Sequence, residues 1–419
     1  STTGQCTLRD YQQEASDIGV QTLRTSDKPF VLLLATGAGK SIVIADICHK
    51  LDEPVLILQP SKEILEQNYA KLLSYDPDID AGIYSASVGR REIRKFTYAT
   101  IGSIKNKPED FKHFKYVILD ECHMLNPKNQ TGMLTKFLKD IECTRVCGLT
   151  ATPYRLAQKY FYEGNNMFYT SHLKMINRIH PFFFKSIKYK VETQDLIDRG
   201  YLVPILYRAD REVDMLELEV NTTGADFTTD SLEKFWNDGR IKKMARIIQR
   251  IDEKCQRNLV FCSSLRQANT AKRMLEEMGI RAEIVDGKTP AKERTRLVEA
   301  FKAGEFKHMI NVGVFTTGFD VPALDCIILA RPTMSLALYY QMVGRGVRLD
   351  PERPDKKLRV YDLAGVVAKL GRVETIRVVK EAPPDQWKDM VVSEAGQMTE
   401  VALFKFLVKN KPKFARGKS

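Results

Sequence analysis

The sequence predicts an α/β protein built as two domains, each a parallel sheet wrapped by helices. Three observations carry that prediction. Short apolar runs at 31–34, 55–58 and 116–119 are continuous instead of alternating, as strands buried on both faces are. Helix-like segments lie between them, which makes the strands parallel through crossover connections. The alternation fades after residue 155 and resumes near residue 239, and 419 residues give room for two cores. The boundaries expected are 1–155 for the first domain, 156–238 for a linker or insert, 239–370 for the second domain and 371–419 for an extension.

The first apolar run ends in a Gly-rich turn, Thr36-Gly37-Ala38-Gly39-Lys40-Ser41, and a helix-like stretch follows from Ile42. Such a turn makes a phosphate cradle, because its backbone N–H groups and the positive end of the helix both face an anion. Lys40 would reach the β- and γ-phosphates, and the Ser41 hydroxyl would sit on Mg2+. The formal P-loop pattern is met only from Thr36 onward, since Leu34 stands where a small residue is usual. A chance Gly-rich turn is the competing reading of this stretch alone. Upstream, Arg9, Tyr11 and Gln12 begin a helix-like segment. An amide that both donates and accepts, beside an aromatic ring and a guanidinium, makes them candidate adenine readers.

Further along, Ser61 is placed to cap a helix, and short strands are expected at 83–84, 98–101 and 146–149. In sheets of this kind ligands collect at the carboxyl ends of the strands. There the run at 116–119 delivers Asp120-Glu121-Cys122-His123. Asp120 would join the Mg2+ shell, and Glu121 would orient or deprotonate the attacking water. A surface acidic turn is the alternative. The next strand delivers Thr150-Ala151-Thr152, whose hydroxyls could bond back to the carboxylates. Residues 153–190 then hold ten aromatics and seven Lys or Arg against one acid, Glu163. That composition fits base stacking beside phosphate contacts, or an insert with an aromatic core of its own. Phe182-Phe183-Phe184 is the candidate wedge for parting a duplex.

A helix at 240–251 opens the second alternating region, with Ile241, Ala245, Ile248 and Ile251 on one side. Arg240, Lys242, Lys243, Arg246 and Arg250 lie elsewhere on its surface. Strands are expected at 259–262, 284–285, 309–312, 326–329 and 358–363, and this half has no P-loop. It could complete a site without owning one. The tail at 401–419 has six Lys or Arg and no acid, and reads as a solvated stretch with non-specific phosphate affinity. Arg90, Arg91, Arg94 and Lys95 form a further basic cluster.

Eight scattered cysteines without a CxxC pair suit buried, reduced thiols better than zinc ligands or disulfides. A net charge of +12 fits a polyanionic partner. No run approaches the ~20 apolar residues of a membrane span, and the first residues lack the pattern of a signal peptide. The compartment expected is the cytoplasm, that of the host if the protein is of phage origin.

In order, LRDYQQEA, TGAGKS, DECH, GLTATPYRL, TTGFDVP and the stretch from Gln341 through Arg345 to Arg348 resemble the motifs of superfamily 2 helicases. More narrowly, the set is similar to RadD-type DNA helicases, phage branched-DNA helicases and the motors of type I restriction enzymes, over about residues 8–365. DECH and TAT, in place of DEAD and SAT, set it apart from the DEAD-box RNA helicases. The Cys-rich region of RadD-type proteins is not in this sequence. The resemblance implies two RecA-like domains with ATP between them. It implies that Gln341 senses the γ-phosphate, that Arg345 and Arg348 neutralise it, and that Gly318 and Asp320 approach the ribose. Contact with nucleic-acid phosphate is the alternative for the two arginines. Candidate grips on a nucleic-acid backbone are Ser61, Lys62, Thr100 and Ser103 in the first domain and Ser263, Ser264, Thr316 and Thr317 in the second, since hydroxyls contact phosphates without reading bases. The function expected is an ATP- and Mg2+-dependent DNA helicase or translocase, a monomer acting on single-stranded, forked or branched DNA. An RNA helicase and a nucleotide-gated clamp that does not unwind are the alternatives.

Overall fold

The computed structural model describes residues 7–124, 130–178, 183–209, 227–313, 319–381, 388–399 and 401–407. It divides into two units: Ser1–Arg155 with Met175–Leu196, and Leu156–Lys174 with Ile197–Ser419.

The first unit contains strands β1 (Phe30–Leu34), β2 (Val55–Gln59), β3 (Ala81–Ser85), β4 (Arg90–Arg91), β5 (Phe96–Thr100), β6 (Tyr116–Asp120) and β7 (Arg145–Thr150). A hairpin, β8 (Tyr154–Glu163) and β9 (Asn166–Met175), precedes one more strand of this unit, β10 (Ser186–Val191). The sheet runs β10-β1-β7-β6-β2-β5-β3-β4, parallel except for the last pair. Around it lie α1 (Asp10–Thr25), α2 (Lys40–Leu51), α3 (Lys62–Tyr75), α4 (Ile101–Ile104) and α5 (Gln130–Asp140), and α6 (Thr193–Asp198) leads away. β1, β2 and β6 are buried along their whole length, as their unbroken apolar runs require.

The second unit holds β11 (Ile205–Ala209), α7 (Thr229–Phe235), α8 (Asp238–Ile251), β12 (Asn258–Cys262), α9 (Leu265–Glu277), β13 (Ala282–Asp286), α10 (Ala291–Ala303) and β14 (His308–Val312). β15 (Cys326–Ala330), α11 (Leu336–Gly344), β16 (Leu358–Asp362) and α12 (Val366–Leu370) follow. Its parallel sheet runs β11-β16-β15-β12-β14-β13. Two small sheets accompany it. One is β17 (Arg377–Glu381), β18 (Lys388–Ser393) and β19 (Gly396–Gln397); in the other, β20 (Phe404–Leu407) pairs with β9 beside β8.

Four expectations change. Residues 156–238, read as one insert, are shared out: β10 extends the first sheet beside β1, and β11 joins the second beside β16. Phe184 is no wedge, because it fills the core against β7; a Cβ on Gly148 would lie 2.7 Å from its ring. Phe182 lies outside the described residues. The tail is not solvated from its start, since Phe404 is buried and β20 is hydrogen-bonded to a strand more than two hundred residues earlier. The cluster around Arg90 is largely charge-paired: Arg90 with Glu92, Arg94 with Asp80 at 3.7 Å, and Lys95 with Asp52. The cysteines among the described residues are unpaired and buried. No described helix is long and apolar enough to cross a membrane.

Candidate nucleotide-binding site

β1 ends in the turn that carries Thr36, Gly37, Ala38 and Gly39. Gly37 and Gly39 adopt φ of 86° and 84°, a region costly for residues with a Cβ. Space adds a second demand at Gly39, where a Cβ would sit 2.6 Å from Gln12 Nε2. α2 then starts at Lys40 and Ser41 with Gly39 as its cap residue, which has no side chain with which to cap it. α3 and α9 differ: the hydroxyls of Ser61 and Ser264 accept from Ile64 N and Gln267 N. The start of the helix after the Gly-rich turn thus lacks the serine cap of the other two and faces an anion with the helix dipole behind it.

Arg9, Tyr11 and Gln12 brace that turn. Tyr11 Oη and Gln12 Nε2 each donate to the Ala38 carbonyl at 2.8 Å, and Arg9 N donates to Gln12 Oε1 at 2.9 Å. Tyr11 and Gln12 are both buried.

β6 lies across β7 from β1 and ends at Asp120. Glu121 follows with φ of 49°, a left-handed backbone that costs a residue with a side chain. Its N–H donates to Asp120 Oδ1 at 2.9 Å, and its carbonyl accepts from Met124 N at 2.9 Å, so the turn is held at both ends. Lys40 Nζ pairs with the Glu121 carboxylate and lies 3.9 Å from Asp120 Oδ1. Asn68 of α3 donates to Asp120 Oδ2 and to Gln59 Oε1. Burial raises the Asp120 carboxyl above its ordinary range, opposed by Lys40 and Asn68.

His123 turns inward. Its Nδ1 is 2.7 Å from Thr150 Oγ1 and 3.4 Å from Glu121 Oε2. Burial, then the charges of Lys40 and Arg155, pull its pKa down to about 3, so the ring is neutral at neutral pH. The hydroxyl of Thr150 thus meets His123 and not a carboxylate, because the short helical turn at Cys122–Met124 swings the imidazole into the space beside β7. Thr152 Oγ1 is buried with no hydrogen-bond partner.

Mg2+ is content with one or two carboxylates, water and substrate phosphates. A hydroxyl at the start of α2, Ser41, and the buried carboxylate of Asp120 suit that donor set. Among the described residues no three or more His, Cys, Asp or Glu gather as a metal cage.

In the second unit, Gln341 lies in α11 and Arg345 caps its end. Burial pulls the Arg345 guanidinium down to about 10, opposed by Asp320. Arg348 pairs with Asp320. Lys356 is 5% exposed and donates to the carbonyls of Arg348 and Pro322, both at 2.7 Å. Burial pulls its ammonium down to about 8, against Asp325 and Asp350. Thr316, Thr317 and Gly318 lie outside the described residues.

The remaining candidates stand at carboxyl ends of strands, after β2, β5 and β12. Lys62 is exposed. Thr100 Oγ1 and Ser103 Oγ are 2.8 Å apart, and Ser103 Oγ also accepts from Ala86 N at 3.0 Å. Ser263 Oγ is buried without a partner. Asn68 and Lys356 carry no motif that marks them in the sequence for a role, and His123, though it closes DECH, had none assigned. Asn68 left a trace, a polar residue between Leu65 and Leu72 on the buried stripe of α3.

Two family descriptions match the chain: "Type III restriction enzyme, res subunit" over residues 5–155, and "Helicase conserved C-terminal domain" over residues 240–350. A Saccharomyces cerevisiae protein named "Putative ATP-dependent helicase IRC3" is 26% identical over 362 residues, 82% of this chain and 49% of that protein. The chain spans about half the length of the curated relatives it matches. The solved structure "ATP-dependent Type ISP restriction-modification enzyme LlaBIII bound to DNA" has a TM-score of 0.63 at 16% identity, covering 85% of this chain and 28% of that one. Saccharomyces cerevisiae Dbp5, bound to RNA and ADP BeF3, has a TM-score of 0.54 at 15% identity, covering 84% of this chain and 82% of that one. At these identities the likeness is one of fold, that of paired RecA-like domains.

Proposed function

The chain belongs to superfamily 2 of the helicases, and from that premise we propose that it is an ATP-driven DNA helicase or translocase that works as a monomer on forked or branched DNA. One observation supports the reading most: Lys40 and the carboxylates of Asp120 and Glu121 converge beside a helix start whose cap residue is a glycine. The turn N–H groups from Gly37 to Ser41 take the phosphates, and Lys40 exchanges its carboxylate partner for phosphate oxygen. Glu121 is then released to accept a proton from the attacking water. His123, neutral and held by Thr150, keeps the Glu121 turn in place without adding charge. Mg2+, held by Ser41 and Asp120 when bound, supplies charge neutralisation along the phosphate chain. Arg9 is the residue that would reach an adenine, while the Gln12 amide is engaged by Arg9 N and the Ala38 carbonyl.

From the motif resemblance alone we infer that Gln341 and the guanidinium groups of Arg345 and Arg348 counter charge on the γ-phosphoryl group as it departs. Arg348 leaves Asp320 to do so. The hydroxyls and backbone N–H groups at Ser61, Thr100, Ser263 and Ser264, with Lys62, grip phosphates without reading sequence.

The test is ATPase rate with single-stranded, duplex, forked and four-way DNA beside RNA of matched sequence. Stimulation by forked DNA well above RNA is expected, with displacement of an annealed strand. Equal or greater stimulation by RNA would move the reading to an RNA helicase. ATP-dependent binding without strand or roadblock displacement would make the protein a clamp.

A further inference from the structure

We infer that the outer face of α8 is a contact surface for the phosphate backbone of duplex nucleic acid, a role that rests on reading the chain as a nucleic-acid motor. α8 is sharply two-sided. Ile241, Met244, Ala245, Ile248 and Ile251 are buried. Lys242, Lys243, Arg246 and Arg250 are exposed. At 100° per residue these four cations fall within an arc of about 100°. No acid occurs from Arg240 to Ile251. Lys242, Arg246 and Arg250 form no ion pair among the described residues.

Arg240 is not part of this surface. It folds back, lying 4.1 Å over the Phe235 ring and donating to the Phe235 carbonyl at 2.8 Å. The acids nearest in sequence do not neutralise the row either. Asp238 faces Arg266 at 3.7 Å, Asp252 binds His308 at 2.6 Å, and only the exposed Glu253 follows on the same side.

The row's spacing suits a phosphate backbone, and its composition favours a duplex. Lys242, Arg246 and Arg250 are one turn apart, about 6 Å per step along a straight helix. That step is comparable with the separation of neighbouring phosphates on a nucleic-acid strand. The face carries Gln249 among its cations and no aromatic ring on which an unpaired base could stack. It can touch phosphates and read nothing, which suits the arm of a fork more than its single strand.

The experiment uses the full chain with Lys242→Gln, Arg246→Gln and Arg250→Gln together, and the matching triple change to Glu. Binding to a labelled duplex and to its labelled single strand is followed by anisotropy across a series of KCl concentrations. The slope of log affinity against log salt for the duplex should fall by about 2 to 3 in the Gln triple, one unit for each phosphate that is no longer neutralised. Duplex affinity at low salt should fall by more than about tenfold, and further with Glu. Binding to the single strand and the ATPase rate that it stimulates should stay at wild-type level. An unchanged duplex slope, or an equal weakening for duplex and single strand, overturns the inference. A wild-type chain with no nucleic-acid-stimulated ATPase would instead defeat the motor reading itself.

Discussion

The two parallel sheets are built to one plan and equipped differently. From β1 outward the first runs β1-β7-β6-β2-β5-β3, and the second runs β11-β16-β15-β12-β14-β13. In chain order the two sequences of strands correspond place for place. β2 and β12 both lead into a helix capped by a serine hydroxyl, at Ser61 and Ser264. The difference lies in the residues just past the strand ends. β6 delivers Asp120 and Glu121, whereas its counterpart β15 delivers Arg331 and Pro332. β1 opens into the Gly-rich turn, whereas no such turn exists in the sequence after β11. One scaffold therefore carries opposite charge at corresponding places. The lesson is that chemistry is placed by one or two residues beyond each strand, on a frame that tolerates either.

That comparison can be broken by substitution. Lys40→Ala should lower ATP turnover by at least about 10³-fold with the fold intact, as a steady-state phosphate-release assay would record. Arg348→Ala should cost on the order of 10³-fold in kcat while ATP still binds. An unchanged kcat would remove Arg348 from the hydrolysis step. Lys356→Met sharpens the same point. Its ammonium holds the Arg348 carbonyl, so kcat should fall about tenfold with nucleotide affinity unchanged, since a displaced catalytic group loses rate more than binding. A fall in melting temperature with normal kcat would leave Lys356 a packing residue.

The smallest effect concerns pH. His123 has a folded pKa of about 3, below its unfolded value of roughly 6.5. Its stabilising contribution is complete above the unfolded pKa and is lost as pH falls toward the folded one. By pH 5 the loss should be about 2 kcal/mol. Denaturant unfolding at pH 7 and pH 5 should show a drop smaller by that amount in His123→Gln. Equal drops would mean that the imidazole is not held neutral in the fold.

Much of this was legible in order along the chain. A continuous apolar run, a Gly-rich turn and a helix are neighbours in sequence, so local geometry alone brings Lys40 and Ser41 to the end of β1. The same is true of Asp120 and Glu121 after β6. Edges were not legible. Ser186 to Val191 alternates polar and apolar residues, and only β1 beside it makes it a strand of the first sheet. β20 is too short to declare itself without β9.

By itself the sequence determined which residues stand at the ends of the strands, because strand, turn and helix are set by side chains within a few positions of one another. Tertiary structure alone decided what those residues meet: Gln12 and Tyr11 on the Ala38 carbonyl, Asn68 on Asp120, His123 on Thr150, Lys356 on Arg348. Several of these partners are more than twenty residues apart. Burial makes such partnerships obligatory, since a polar group withdrawn from water must be bonded, yet it leaves no sign in composition of which partner will be near.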